Sequence, residues 1–138
     1  MITRLDHIAV AVPDLEGAIR RFTEDLGLTL AGAEDVTSAL TRTAFLPIEG
    51  TRIELIHPLD GQGPVQRFLE TRGGGLHHLC FETDDIDGDV ARLREKGYRF
   101  LSDEPKPGAH GTRIMFIHPK SCDGVLIELA EHPRPEQP

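Results

Sequence analysis

An internal repeat is the feature of this sequence that most constrains its fold. Residues 5–12 (LDHIAVAV) match residues 76–83 (LHHLCFET) at an offset of 71 (78 − 7), and the same offset places Asp14 on Asp85. Such self-similarity predicts two copies of one supersecondary unit, each burying its apolar side chains in a shared architecture.

Each copy has the pattern of a strand, a helix and three further strands. The helices begin after Asp14 and Asp85, carry apolar residues at three- and four-residue steps, and close at Gly27 and Gly97. The further strands are predicted at 28–31, 40–46 and 51–56 in the first copy and at 98–101, 112–117 and 125–130 in the second. We therefore predict an α+β fold in which two tandem βαβββ modules form a curved mixed sheet.

The chain of 138 residues has the length of one domain. Within it we place module 1 at about 3–60, a linker at about 61–75, module 2 at about 76–132 and a disordered tail at 133–138.

Charge and apolar content exclude several classes of function. The formal net charge of -8 leaves no basic surplus for nucleic acid. No apolar run approaches the roughly 20 residues that span a bilayer, so no membrane partner is expected. The N-terminus has no signal-peptide pattern, and the two cysteines, Cys80 and Cys122, suit a reducing interior. We expect a cytoplasmic protein.

Four residues with metal-binding side chains occupy matched positions in the two modules. His7 and His78 lie in the first strands, whereas Glu54 and Glu128 lie in the last strands, within RIEL and LIEL. If a pseudo-twofold axis relates the modules, the four side chains converge on it. Two imidazoles and two carboxylates suit a divalent transition metal such as Zn, Ni, Co, Mn or Fe(II), with positions left open for substrate oxygens.

Taken singly, each of these residues has an ordinary structural explanation. A strand histidine is commonly a core or edge residue, and strand alternation can turn a glutamate towards solvent. The matched placement in two repeats favours a metal site instead. His77 alternates to the opposite face from His78 and is not expected to be a ligand. Three further histidines lie beside prolines at strand ends, where we expect surface positions: His57, His118 and His132.

The sequence resembles the vicinal oxygen chelate superfamily, which includes glyoxalases, bleomycin resistance proteins and dioxygenases. The similarity extends over almost the whole chain and includes LDHIAVAVPDL, IELIHPL and HPKSCDGVLIEL. Within the superfamily it is most similar to the methylmalonyl-CoA epimerases, through the more specific segments GGGLHH and GAHG.

This resemblance implies that one divalent metal ion (Co, Zn, Ni or Mn) is held by His7, Glu54, His78 and Glu128. It implies an isomerase that epimerises the α carbon of a 2-carboxyacyl-CoA thioester through a metal-stabilised enolate, with Glu128 as a catalytic base. A small-molecule acyl-CoA is the expected partner, and a homodimer is the expected assembly.

One position departs from the epimerase pattern. Ser38 stands where those enzymes carry a glutamate that is not a metal ligand, and serine is no base for a carbon acid without an activating partner. Glu34 and Asp35 lie just upstream and can replace that glutamate only if the loop folds differently. Weaker candidates for substrate contact are Ser38, Lys106, His110, Arg113 and Lys120.

Other functions stay open from the residues alone. A glyoxalase I-like lactoylglutathione lyase needs no additional free glutamate, although the chain lacks the aromatic-rich first helix of that family. An Fe(II) extradiol dioxygenase normally uses two histidines and one carboxylate, so the second glutamate counts against it. A related metal-binding protein without epimerase activity, because of Ser38, is a further alternative, as is a non-catalytic binding or resistance protein.

Overall fold

A computed structural model describes residues 1–135 and divides the chain into two compact units. The N-terminal unit comprises Asp6–His78, and the C-terminal unit comprises Met1–Leu5 together with the residues from Leu79 onward. The boundaries fall inside the first strand of each module, so His78 of module 2 belongs to the N-terminal unit.

The N-terminal unit contains a four-stranded mixed sheet. The elements that lie wholly or mainly in this unit are β1 (Ile2–Ala11), α1 (Leu15–Arg20), β2 (Gly32–Val36), β3 (Thr41–Ile48), β4 (Thr51–Pro58) and α2 (Pro64–Arg72). The strand order is β2-β3-β4-β1, with β1 parallel to β4 and the other neighbours antiparallel.

The C-terminal unit repeats this arrangement. Its elements are β5 (Gly75–Thr83), α3 (Ile86–Glu95), β6 (Lys106–Pro107), β7 (Arg113–Ile117) and β8 (Ile127–Glu131). The strand order is β5-β8-β7-β6, and again the first and last strands of the module are parallel. The prediction of an α+β fold built from two βαβββ modules is confirmed.

The capping aspartates act in both modules as the sequence predicts. The Asp14 carboxylate accepts a hydrogen bond from the Gly17 amide at 3.1 Å, and Asp85 accepts one from the Gly88 amide at 3.0 Å. The first helix departs from the expected α-helix over residues 21–25, because Arg21–Asp25 forms a π-helical turn after α1.

Each sheet buries apolar side chains against its helices. Leu46 and Leu55 pack with Ala18 of α1 in the N-terminal unit, and Met115 and Leu129 pack with α3 in the C-terminal unit. A second N-terminal cluster joins α2 to the sheet and contains Ala9, Ala11, Ile56 and Val65. Ala9 of β1 shares this cluster with Val65 of α2, so the sheet face that carries Ala9 packs against α2. The helix α1 belongs to the other cluster.

Two strands lie later in the chain than predicted. The segment 28–31 connects α1 to the sheet, and pairing begins at Gly32 opposite Phe45. The polar strand β2 sits at the sheet edge, where a strongly apolar sequence is not required. In module 2, residues 98–101 contribute only an isolated bridge from Phe100 to Ile117, and the regular strand is Lys106–Pro107.

The predicted linker at 61–75 contains a helix, α2, which begins with Pro64 at its first turn and ends at Gly73 in the left-handed conformation. The predicted tail lies partly beyond the described residues. Within residues 1–135, no helix is long and apolar enough to cross a membrane.

Candidate metal centre

Two imidazole rings face each other in the N-terminal unit. The Nε2 atoms of His7 and His78 lie 3.2 Å apart, with the ring planes inclined at 75°. His7 is buried and His78 is half-buried. These side chains come from positions 71 residues apart, so the structure brings the two predicted histidine ligands together.

Glu54 lies beside this pair on β4. It is the register partner of Ala9 on β1, and His7, two residues before Ala9, shares the same sheet face. Its Oε2 atom lies 3.0 Å from Nδ1 of His7 and accepts hydrogen bonds from Arg52. Within this unit His7 therefore contacts two of the other predicted ligands, His78 through Nε2 and Glu54 through Nδ1.

Asp6 and Arg52 complete a buried polar cluster around His7. The Asp6 carboxylate is 1% exposed, and its Oδ2 lies 2.7 Å from Nδ1 of His7 and 3.0 Å from Nη2 of Arg52. A carboxylate can only accept, so we assign the His7 proton to Nδ1 and the lone pair to Nε2. The two carboxylates, Asp6 and Glu54, face only one guanidinium charge, that of Arg52. The excess of negative charge favours binding of an additional cation.

His77 contacts its neighbour instead of pointing fully away from it. The Nδ1 atoms of His77 and His78 lie 2.8 Å apart, and the His77 ring packs edge-on against Phe68 of α2 with centroids 4.9 Å apart. The helix inside the predicted linker thus orients His77, which in turn contacts the ring nitrogen of His78 that is remote from His7.

Glu128 occupies in module 2 the register that Glu54 occupies in module 1. It pairs with Cys80 on β5 and with Phe116 on β7, and it is 6% exposed. Cys80 is the repeat equivalent of Ala9, the partner of Glu54. The two glutamates therefore stand at the same place in two copies of one sheet.

The donor set fits a divalent transition metal. Two nitrogen ligands at about 2.0–2.1 Å from one ion lie about 2.8–3.4 Å apart, from the octahedral to the tetrahedral arrangement, and the observed Nε2 separation of 3.2 Å falls in that range. Imidazole nitrogens with carboxylate oxygens suit Zn, Co, Ni or Mn.

Residues 6–116 match the family model of the glyoxalase/bleomycin resistance protein/dioxygenase superfamily. This chain belongs to that superfamily. The resemblance inferred from the sequence is confirmed.

Members of the superfamily with high similarity are epimerases. The ethylmalonyl-CoA/methylmalonyl-CoA epimerase of Cereibacter sphaeroides is 44% identical over 95% of this chain and 99% of that protein. The mitochondrial methylmalonyl-CoA epimerase of Mus musculus is 43% identical over 93% of this chain and 72% of that protein. A variant of Streptomyces coelicolor methylmalonyl-CoA epimerase in complex with 2-nitronate-propionyl-CoA superposes with a TM-score of 0.92 at 36% identity, covering 97% of this chain and 100% of that one.

The weaker substrate-contact candidates lie in different surroundings. Lys106 is the register partner of Ile114 and therefore lies on the same sheet face as Glu128. Arg113 lies on the opposite face, where Asp87 of α3 binds its guanidinium through two contacts of 2.9 Å. Three candidates occupy exposed turns: Ser38, His110 and Lys120.

The two carboxylates upstream of Ser38 differ in position. Glu34 pairs in register with Thr43, which pairs with Ile56, so its side chain shares the sheet face of Glu54. Asp35 points to the other face, and Arg42 donates to it at 2.8 Å. Only Glu34 of this pair lies on the face that carries the predicted metal ligands.

Asp6 and Arg52 were not identified as site residues from the sequence. Strand alternation contains part of the signal, because Arg52 lies two residues before Glu54 on the same strand face. Asp6 precedes His7 directly, and alternation alone would have placed its side chain on the opposite face. Its contact with His7 is therefore apparent only from the three-dimensional structure.

Proposed function

We propose that the protein is a metal-dependent epimerase acting on the α carbon of a 2-carboxyacyl-CoA thioester of the methylmalonyl-CoA type. The observation that carries this proposal is the facing pair of Nε2 atoms from His7 and His78. Glu54 contacts the same His7 ring at its other nitrogen, Nδ1. The epimerase relatives, which match nearly the full length of the chain, supply the substrate class.

The residues proposed to hold the ion are His7, Glu54, His78 and Glu128. A divalent ion bound there would act as a Lewis acid towards negative charge developing on the substrate's thioester and carboxylate oxygens. Cobalt, zinc, nickel and manganese are all compatible with this donor set. The superfamily membership and the imidazole pair support the site.

Glu128 is the residue that we assign to proton transfer on one face of the substrate. Its carboxylate takes the α proton in one direction and returns it in the other, as general acid–base catalysis requires. Leu126 occupies the place that Arg52 occupies beside Glu54, so no guanidinium from that position holds Glu128 as Arg52 holds Glu54.

Inversion of the α carbon also needs a proton on the opposite face. We assign this step to Glu34, the carboxylate that the β2–β3 register places on the sheet face of Glu54. Ser38 lies in the exposed 3₁₀ turn Thr37–Ala39 and has no basic group of its own. Loss of a proton to Glu128 and gain of one from Glu34 leave the substrate isomerised and its composition unchanged.

Lys106 is proposed to contact the anionic groups of the acyl-CoA. It is exposed, and it lies on the sheet face of Glu128 next to Ile114. Arg113 is a weaker candidate than Lys106, because its guanidinium is already bound by Asp87 on the opposite face.

The experiment is incubation of metal-loaded protein with one epimer of methylmalonyl-CoA in D2O, followed by mass and stereochemical analysis. We expect α-deuteration together with racemisation. Absence of both contradicts the proposal. Conversion of a glutathione hemithioacetal in place of methylmalonyl-CoA would instead support the lactoylglutathione lyase alternative.

A Glu34→Gln variant tests the second proton-transfer group in the same assay. We expect one epimer to exchange its α proton while inversion is lost. The matched control is Asp35→Asn, which lies next to Glu34 but on the other face, and it should epimerise like the wild type. Normal epimerisation by Glu34→Gln would remove Glu34 from the mechanism and leave the metal centre untouched.

Two further expectations from the sequence stay as proposals. The homodimer is to be tested by light scattering of the purified protein, and the cytoplasmic location by cell fractionation. Both cysteines are thiols in the structure, which is compatible with a reducing compartment.

A further inference from the structure

We propose that Asp6 and Arg52 are positioning residues, forming a buried frame that presents His7 and Glu54 to the metal ion. The inference rests on the proposed metal centre. It assigns a function to two residues that would not themselves bind the ion: one sets which nitrogen of His7 carries the lone pair, and the other fixes the Glu54 carboxylate.

The contact between Asp6 and His7 selects one imidazole tautomer. Asp6 Oδ2 lies 2.7 Å from Nδ1 of His7 and is a nearer acceptor than Glu54 Oε2 at 3.0 Å. The proton of a neutral His7 therefore belongs on Nδ1, and the Nε2 lone pair points towards His78. Metal-binding histidines commonly donate their second ring N–H to a carboxylate, which fixes the ring orientation and increases ligand basicity. Burial of both side chains protects this contact from competing water.

Arg52 connects the two carboxylates of the cluster. Its Nε and Nη2 atoms each lie 2.7 Å from Oε2 of Glu54, and Nη2 also lies 3.0 Å from Oδ2 of Asp6. The guanidinium carbon sits 5.6 Å from the centroid of the Phe45 ring. The planar, forked guanidinium can bridge Asp6 on β1 and Glu54 on β4 at once, which the single ammonium of lysine cannot reproduce.

The Arg52 donors converge on Oε2 of Glu54, and Nδ1 of His7 lies 3.0 Å from the same oxygen, so these contacts restrict the position of the Glu54 carboxylate. The frame would therefore limit the rotamers of His7 and Glu54 before the metal binds, so that fewer are lost on binding. Restricting a ligand before binding lowers the entropic cost of forming the site.

Module 2 carries different residues at both positions of the frame. His77 replaces Asp6, and Leu126 replaces Arg52. His78 consequently has an imidazole at its Nδ1, 2.8 Å away, where His7 has a carboxylate. The charged frame is thus a property of module 1 that the repeat does not require.

The test compares Asp6→Asn and Arg52→Leu with the wild type, with Arg52→Lys as the conservative variant. The asparagine amide can donate to Nδ1 as well as accept from it, so long-range ¹H–¹⁵N NMR of the metal-free protein should show a mixed His7 tautomer. Titration with Co²⁺ should show an affinity about 10- to 100-fold lower in Asp6→Asn and Arg52→Leu, with partial recovery in Arg52→Lys.

Arg42→Leu is the matched control, because it removes an arginine from an exposed arginine–aspartate pair in the same unit. Its Co²⁺ affinity and His7 tautomer should equal those of the wild type. If Arg52→Leu fails to fold, the tautomer measured in Asp6→Asn still decides the question. An unchanged tautomer and Co²⁺ affinity within about twofold of wild type would overturn the inference, whereas a wild type that binds no Co²⁺ would overturn the metal centre itself.

Discussion

The two modules share a sheet pattern but differ in the residues around their matched, proposed metal ligands. In module 1, His7 and Glu54 contact the charged side chains of Asp6 and Arg52. In module 2, the equivalent positions carry His77 and Leu126. The repeat thus preserves the positions of the matched histidines and glutamates, while the residues next to them differ between the two copies.

This difference suggests a division of work between the glutamates. Arg52 contacts the carboxylate of Glu54 through two nitrogens, which suits a fixed ligand. At the position equivalent to Arg52, module 2 carries Leu126, so Glu128 is not fixed by a guanidinium from that position, which suits a carboxylate that exchanges a proton. We interpret module 1 as the preorganised half of the centre and module 2 as the source of the catalytic base.

Among these variants, removal of a proposed histidine ligand is expected to have the largest effect, a loss of metal affinity. His7→Ala and His78→Ala should each lower Co²⁺ affinity by more than about 100-fold, beyond the loss typical of residues outside the first coordination shell. Isothermal titration measures this directly. His118→Ala is the control, because that ring caps the turn Pro119–Ser121 by accepting from the Lys120 amide. Cobalt binding by His78→Ala at wild-type strength would refute the shared site.

Core truncation should affect the two modules equally. Leu55 and Leu129 are repeat equivalents on the last strands, and they are 0% and 1% exposed. Each Leu→Ala change should lower the free energy of unfolding by about 2–5 kcal/mol, through lost burial and the cavity left behind. Urea unfolding checks the values. A much larger loss of unfolding free energy in one variant would show that the two cores, although similar in sequence pattern, do not contribute equally to stability.

The smallest effects are expected at an exposed arginine–aspartate pair in each module. The hydrogen bond from Arg42 lowers the pKa of Asp35, and the hydrogen bonds from Arg113 lower the pKa of Asp87. A lowered native pKa stabilises the fold above the unfolded pKa of about 3.9, and this contribution is lost as the pH falls through the native value.

Asp35→Asn and Asp87→Asn should therefore each cause a small loss of stability at pH 7. The difference from wild type should shrink as the pH approaches 3. Urea midpoints measured between pH 7 and pH 3 test both variants. A difference that grows on acidification would contradict the assigned direction of the shifts.

The repeat made most of the fold predictable from sequence. Matched positions, N-capping aspartates and closing glycines located the modules and their first helices. The strand β2 was misplaced because its residues, including Glu34 and Asp35, are polar, and an edge strand needs no apolar run. The helix α2 was missed because the glycine- and proline-containing segment 61–75 has the composition of a linker.

The part of the candidate site that was predictable from sequence is the part set by residue type and by position in the repeat. His7 and His78 were paired from their offset alone, and the structure places their Nε2 atoms 3.2 Å apart. The frame of Asp6 and Arg52 depends on side-chain directions in the middle of β1 and near the start of β4. A periodicity of two along a strand places Arg52 on the face of Glu54 but puts Asp6 on the face opposite His7, so sequence reasoning could not find the complete frame.

The most direct test of the account compares Glu128→Gln with Glu54→Gln, both metal-loaded, for α-proton exchange of methylmalonyl-CoA in D2O. Co²⁺ affinity is measured in parallel, so that loss of metal is separated from loss of the base. We predict that Glu128→Gln lowers the exchange rate by about 10²- to 10⁴-fold, the usual contribution of a general base. Glu54→Gln should retain most of the exchange once it is saturated with metal. Equal loss in both variants, or normal exchange in Glu128→Gln, would contradict the division of work between the modules.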